Sequence, residues 1–307
     1  MLEYAAGQGF RTASVTRSAV RLGEGYAGKA ALEHKMISLR DVSELRGPFL
    51  TFSLLEKEAF VAYFGVPLIA RGQVKGVLEI FHRSRLDPDQ DSLQFLEALA
   101  TDAAIAIDNA ALFDDLQHAN TELTLAYDAT LEGWGRALEL RDEVTEGHTQ
   151  RVTALTVRLA KDMEMSEADL VHVRRGSFLH DIGKIGIPDR ILLKTEPLTE
   201  EEWKVMRMHP VYAFRLLQPI RYLRPALDIP YCHHERWDGA GYPRGLAGEH
   251  IPLAARIFAV VDVWDALRSD RPYHPAWPPE RVRDHIRSLA GSHFDPRVTE
   301  AFLGLDL

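Results

Sequence analysis

The sequence predicts an α+β N-terminal domain, a long connector helix and an all-α C-terminal domain. Three observations carry this reading. Residues 1–86 mix β-branched and Gly-rich segments with one short helical stretch. From Asp89 to about Leu140 there is no proline, and helix-forming residues dominate. Beyond residue 141, helical periodicity recurs between Pro and Gly clusters. The corresponding boundaries are 1–110, 111–134 and 135–307.

In the first domain, VTRSAVRLGEGYAGKAALEHKMISL opens with β-branched residues, turns through glycines and continues as a short helix. AFVAYFGVPLIARGQVKGVLEIFHRS reads as a hairpin, two strand-like runs around Arg71-Gly72-Gln73. Asp87-Pro88-Asp89 starts a helix with acidic residues in its first turn. Along that helix Leu112, Leu116, Ala119, Leu123, Ala126 and Thr130 alternate spacings of four and three, a heptad seam with polar flanks. The seam fits a helix packed on its own domain, but its narrowness and polar flanks favour a second copy of the chain, giving a parallel homodimer. Gly133 and Gly135 are expected to loosen the end of the connector. In the last domain, five segments carry helix periodicity, with Thr145, Ser166 and Thr199 as expected N-caps.

The 307 residues suffice for two domains of ordinary size, and 46% hydrophobic with 26% charged content is that of a folded chain. One cysteine, Cys232, excludes an internal disulfide and fits a reducing compartment. The apolar stretch at residues 60–70 is too short to span a bilayer, and MLEYAAGQGFR lacks the marks of a signal peptide. A cytoplasmic protein without a membrane partner is therefore expected. A net charge of −9 argues against coating a nucleic-acid polymer. It leaves room for a small anionic nucleotide held by a metal centre and a few local cations.

LHDIGKIGIP, residues 179–188, sets His180, Asp181 and Lys184 in an apolar stretch. Charges there are costly unless paired, hydrogen-bonded or metal-bound. Taken alone, a His-Asp pair more often satisfies itself or faces solvent than binds a metal. The chain has thirteen histidines, most of them beyond residue 147. His148 lies near the start of one helical segment, and His180 and Asp181 lie on the next. His209 is at the end of a third, before Pro210. His233 and His234 are adjacent, and Asp262 and Asp265 share a helix face. Together they supply the donors of a dinuclear site suited to Fe, Mn, Zn or Co. Such a pair of ions can activate water and clamp a phosphodiester.

HDIGKIGIP, HHERWDGAGYP and DVWDALRSDRPY together resemble the HD-GYP branch of the HD phosphohydrolases. The resemblance covers roughly residues 135–307. It implies an all-α HD-type fold and hydrolysis of cyclic di-GMP to pGpG and, in many members, on to GMP. It also implies divalent ions, commonly iron or manganese. The implied metal ligands are His148, His180, Asp181, His209, His233, His234 and Asp262, with Asp181 bridging. Lys184 would contact the scissile phosphate and could protonate the leaving oxygen. Arg271 would grip a phosphate, and Asp265 would support the ligands or position a guanine. Gly239 and Gly241 would let the loop turn tightly, while Tyr242 and Pro243 shape the ligand wall. Trp237 reads equally well as packing.

Two positions depart from the family pattern. Val144 stands where three-metal members carry glutamate, so two ions per chain are expected. His274 follows RPY where many members have lysine, which weakens a phosphate contact there and makes it pH-dependent. PLIARGQVKGVLEIF, in its order of elements, resembles a GAF domain, a ligand-binding or dimerising module. A helix and a strand expected before LEYAAGQGF are missing, so this GAF-like segment reads as incomplete. The expected function is a GAF-regulated cyclic di-GMP phosphodiesterase that signals to partner proteins. Its rivals are a hydrolase of another cyclic dinucleotide, such as cyclic GMP-AMP, and a catalytically silent receptor.

Overall fold

A computed structural model describes residues 1–12, 19–41, 58–142, 147–270 and 275–306. Arg271, His274, Thr145, Val144, Glu143 and Glu146 lie outside the described residues. The chain divides into two compact units, residues 1–122 and 123–307.

In the first unit, AYFGVPLIA has no polar alternation because it is buried on both faces. It forms β4 (Ala62–Ala70), the centre of an antiparallel sheet ordered β3 (Ile37–Leu39), β4, β5 (Gln73–His82). The hairpin turns on two residues, Arg71 and Gly72, both at positive φ (51° and 75°). This backbone suits the right-handed twist of the strands it joins. Pro67, which cannot donate to a ladder, sits next to a register shift at Leu68/Ile69. α1 (Gly25–Glu33) packs on β4. Val66, Leu68 and Ala70 bury against Ala100 and Ala104 of the long helix α2 (Gln90–Asp142). Two further strands, β1 (Leu2–Glu3) and β2 (Ala19–Val20), pair with each other.

α2 runs unbroken to Asp142, so Gly133 and Gly135 do not loosen it. Gly135 serves another purpose. A Cβ there would lie 3.0 Å from Phe178 O and 3.3 Å from Thr149 Cγ2, so glycine admits two neighbouring segments close to the helix. The proposed seam is exposed on α2, with Leu112, Leu116 and Leu123 between 43% and 67% accessible.

The second unit is helical among the described residues. α3 (His148–Asp162), α4 (Glu167–Phe178) and α9 (Leu253–Arg268) bury Val152, Leu159, Val173, Phe258 and Trp264 in one core. α10 (Pro279–Ser288) and α11 (Pro296–Leu303) close it with Ile286 and Phe302. Two of the expected caps form, while Thr145 lies outside the described residues and Gly147 stands at the N-cap of α3. Ser166 Oγ accepts from Asp169 N, and Thr199 makes a reciprocal capping box with Glu202 at the start of α6 (Glu200–Met206). α5 (Asp189–Leu192) is a single turn.

Two helix placements differ from expectation. α4 ends at Phe178, so His180 and Asp181 occupy the turn after the helix, followed by a 3₁₀ segment at Ile182–Gly186. A Cβ at Gly183 would overlap His209 O, and this close crossing holds the segment against α7 (His209–Leu217). His209 begins α7 instead of ending the preceding helix, because Pro210 favours the first turn, where its missing N–H costs nothing.

Candidate metal centre

Five elements bring the predicted ligands together. His148 opens α3, His180 and Asp181 follow α4, and His209 opens α7. His233 and His234 follow α8 (Asp228–Cys232), and Asp262 lies on α9. They form two groups, Asp181–His209–His233–His234 and His148–His180–Asp262, with the donor atoms of each within 4.8 Å of one another.

Asp181 joins the groups. Its Oδ1 lies 3.4 Å from His209 Nε2 and 3.8 Å from His233 Nε2, while its Oδ2 lies 3.1 Å from His180 Nε2. His148 Nε2 is 3.5 Å from Asp262 Oδ1. On the far side of the rings, Nδ1 is already occupied. In His180, His209 and His233 it donates to the carbonyls of Ser177, Met206 and Ile229 at 2.9, 2.8 and 3.0 Å. In His148 it donates to Asp265 Oδ2 at 2.7 Å. These bonds fix the tautomer, leaving each Nε2 lone pair for the centre.

Electrostatics agree. Burial, with neighbouring imidazoles, holds His233 well below its ordinary value and His234 down at about 3; burial also lowers His209. All three therefore stay neutral, as ligation requires. Burial works against ionised Asp181 and Asp262. Lys184 and His180 nevertheless hold Asp181 ionised, and His148 does the same for Asp262. His148 is the exception: burial lowers it, but its bonds to Asp262 and Asp265 push it up to about 9, so without an ion it carries a proton that ligation must displace. Five imidazoles and two carboxylates, with no thiolate, fit divalent ions of the Fe, Mn, Zn or Co type.

The GYP loop borders this cluster. Tyr242 stacks on His234, ring centroids 4.7 Å apart, and its N–H donates to His234 O at 3.2 Å. Gly241 has no room for a side chain: a Cβ would stand 2.5 Å from Glu235 Cα and 2.6 Å from His234 O. Gly239 sits at φ 80°. Pro243 follows Tyr242 through a cis peptide bond. Trp237 donates its N–H to His293 O, and Arg256 lies over its ring.

Three residues around the centre escaped the motif reading. Buried Glu235 accepts from Arg244 N and Leu246 N at 2.7 and 2.9 Å, anchoring the loop. Arg151 forks onto Asp265 at 2.7 and 2.9 Å. Asp142 pairs with Lys184. Glu235 lies inside HHERWDGAGYP, where an acid beside HH was the available signal; Arg151 lies outside the quoted motifs, and a base one turn after His148 was its only signal. Asp142 carried no signal of its own.

A buried cluster of five imidazoles around a central carboxylate, on a helical scaffold, fits a metallohydrolase. Sequence comparison narrows the class. Residues 135–298 match the HD domain family and residues 3–108 the GAF domain family. The chain belongs to the HD domain family, in its HD-GYP-like form, with a GAF domain ahead of it.

Among curated relatives, a cyclic di-GMP phosphodiesterase of Thermotoga maritima is 48% identical over 172 residues, 55% of this chain and 46% of its own. The 3′3′-cGAMP-specific phosphodiesterase 2 of Vibrio cholerae is 35% identical over 212 residues, 68% of this chain and 39% of its own. The cyclic di-GMP phosphodiesterase response regulator RpfG of Xanthomonas campestris pv. campestris is 43% identical over 176 residues, 57% of this chain and 47% of its own. The chain thus spans less than half the length of these relatives.

Proposed function

We propose that this chain is a cyclic-dinucleotide phosphodiesterase that opens cyclic di-GMP to pGpG and on to GMP under control of its GAF domain. The carrying observation is the pair of His/Asp groups, with Asp181 of one group 3.1 Å from His180 of the other and the Lys184 ammonium 2.7 Å from that carboxylate. Two divalent ions held there, iron or manganese, would supply Lewis acidity and an activated water. Asp181 bridges the two donor groups, and the Nδ1 bonds keep the imidazoles aimed. Lys184 meets the negative charge of the scissile phosphate. Tyr242, Pro243 and the close-packed Gly241 form the wall against which the nucleotide lies. Arg271 contributes a phosphate contact, and Asp265 acts by orienting His148.

The cytoplasm is the fitting compartment for a chain whose one cysteine is buried and unpaired. No helix among the described residues is long and apolar enough to cross a membrane. A homodimer through the α2 seam, with downstream protein partners, completes the reading.

The similarity to both cyclic di-GMP and 3′3′-cGAMP enzymes makes base choice the decisive test. Protein prepared anaerobically and analysed for metal is given each dinucleotide, and products are separated by chromatography. Faster loss of cyclic di-GMP, with pGpG appearing before GMP, is expected. Preference for 3′3′-cGAMP would reassign the substrate. Tight binding of either without turnover would make the chain a receptor.

A further inference from the structure

The last turn of α2 reaches the metal centre through contacts that the motif residues do not explain. Asp142 Oδ2 lies 2.5 Å from Lys184 Nζ, and both side chains are largely buried, 9% and 17% exposed. Arg141, beside it, holds the main chain of the same segment. It donates to Lys184 O, Ile185 O and Ile187 O at 3.1, 2.9 and 2.9 Å, and to Asp189 Oδ1 at 2.8 Å. Glu139, one turn earlier, accepts from Thr149 N at 2.6 Å, next to His148. One stretch of helix thus grips the side chain and backbone around Lys184 and the first turn of α3.

A lysine ammonium is a point charge on a flexible four-carbon stem, so its location is set by whatever holds it. Lys184 has two carboxylate partners, Asp181 and Asp142. Asp181 is claimed by both metal-donor groups through its two oxygens. Asp142 belongs to neither group, so its carboxylate is free to serve the lysine alone.

We propose that Asp142 is a positioning residue for the phosphodiester reaction, fixing the Lys184 ammonium at the edge of the donor cluster where the scissile phosphate must sit. This rests on the phosphodiesterase reading above. A charge-stabilising group displaced by about 1 Å can cost on the order of 100-fold in rate. Asp142→Asn keeps the shape of the side chain but removes the charge that anchors the ammonium.

The test uses the full chain as wild type, Asp142→Asn, Asp142→Glu, Lys184→Met and the Asp142→Asn/Lys184→Met double variant. Turnover is measured on cyclic di-GMP and on bis(4-nitrophenyl) phosphate, alongside metal content. Lysine-ammonium signals are recorded by ¹H–¹⁵N NMR on zinc-loaded protein. In the wild type, one slowly exchanging ammonium signal is expected, absent in Lys184→Met and lost in Asp142→Asn. Asp142→Asn should lower kcat by about 10–100-fold with a smaller change in KM and unchanged metal content. Asp142→Glu should recover part of the loss, and the effect of Asp142→Asn should vanish in the Lys184→Met background.

A kcat for Asp142→Asn within about twofold of wild type overturns the proposal, as does an equal loss on top of Lys184→Met. Absence of the ammonium signal from the wild type overturns it as well. Turnover of bis(4-nitrophenyl) phosphate without turnover of cyclic di-GMP refutes only the substrate reading, and the comparison of variants then proceeds on the simple diester. A wild type inactive on both substrates refutes both.

Discussion

The carboxylate of Asp181 places one oxygen 3.4 Å from His209 Nε2 and the other 3.1 Å from His180 Nε2, so removing it takes a donor from one group and a neighbouring carboxylate from the other. Elemental analysis of anaerobically prepared wild type should give two ions per chain, and Asp181→Ala should lose both along with turnover. Retention of one ion would mean that the groups bind independently. A stoichiometry near three that depends on Glu143 would mean that a carboxylate outside the described residues completes another site. Asp265 acts at one remove. Its bond to His148 Nδ1 sets which nitrogen is free, and Arg151 holds the carboxylate in turn. Asp265→Asn should weaken metal affinity by about 10–100-fold, the usual cost of losing an outer partner. Titration with zinc would register this without reference to activity.

At the scale of the element, the GYP loop depends on the missing side chain at residue 241. Gly241→Ala would press a methyl group into Glu235 Cα and His234 O, displacing Tyr242 from His234. The strain should cost about 1–3 kcal/mol, seen as a lower Tm, with a raised KM if Tyr242 walls the ligand. A Tm and KM equal to wild type would show that the loop has another packing available.

In the first unit, Glu58 is buried and accepts from Arg11 N, Thr12 N, Thr12 Oγ1 and Arg83. Burial raises its pKa, but those donors outweigh burial and hold it at about 2. Because the folded value is depressed, the stabilisation is present above the unfolded value, roughly 4.3, and is lost as pH falls through about 2. Hydrogen exchange of β4 and β5 should therefore accelerate less steeply with acid in Glu58→Gln than in wild type. Equal slopes would remove Glu58 from the acid response.

For the whole molecule, the open question is what covers the leucines of α2. Leu116 and Leu123 are 67% and 50% exposed at heptad spacing, and parallel pairing with a second chain would bury them. The Leu116→Lys/Leu123→Lys variant should sediment as a monomer in ultracentrifugation, where wild type should sediment as a dimer. Two buried ammonium layers without partners would not be tolerated. An unchanged sedimentation coefficient would place the dimer contact elsewhere or show that there is none.

Local chemistry made much of this legible without coordinates. The Arg71-Gly72 turn needs two positive φ angles, and the Ser166 and Thr199 caps need one hydroxyl each. Such requirements are met within a few residues, so the chain states them directly. Five of the seven donor residues were likewise readable from short, specific motifs, while His148 and His209 came from the family resemblance those motifs carry. What the sequence determined is therefore the parts: element types, turn chemistry and the inventory of nitrogen and oxygen donors. Tertiary structure decided the rest. It ended α4 before His180, began a helix at His209 and carried α2 past Gly135 to Asp142. It also chose which imidazole nitrogen faces inward and gave Lys184 its second carboxylate. The reason is physical. These outcomes depend on close approaches between segments 24 to 117 residues apart, as in His209–His233 and His148–Asp265, and only the packed core sets those distances.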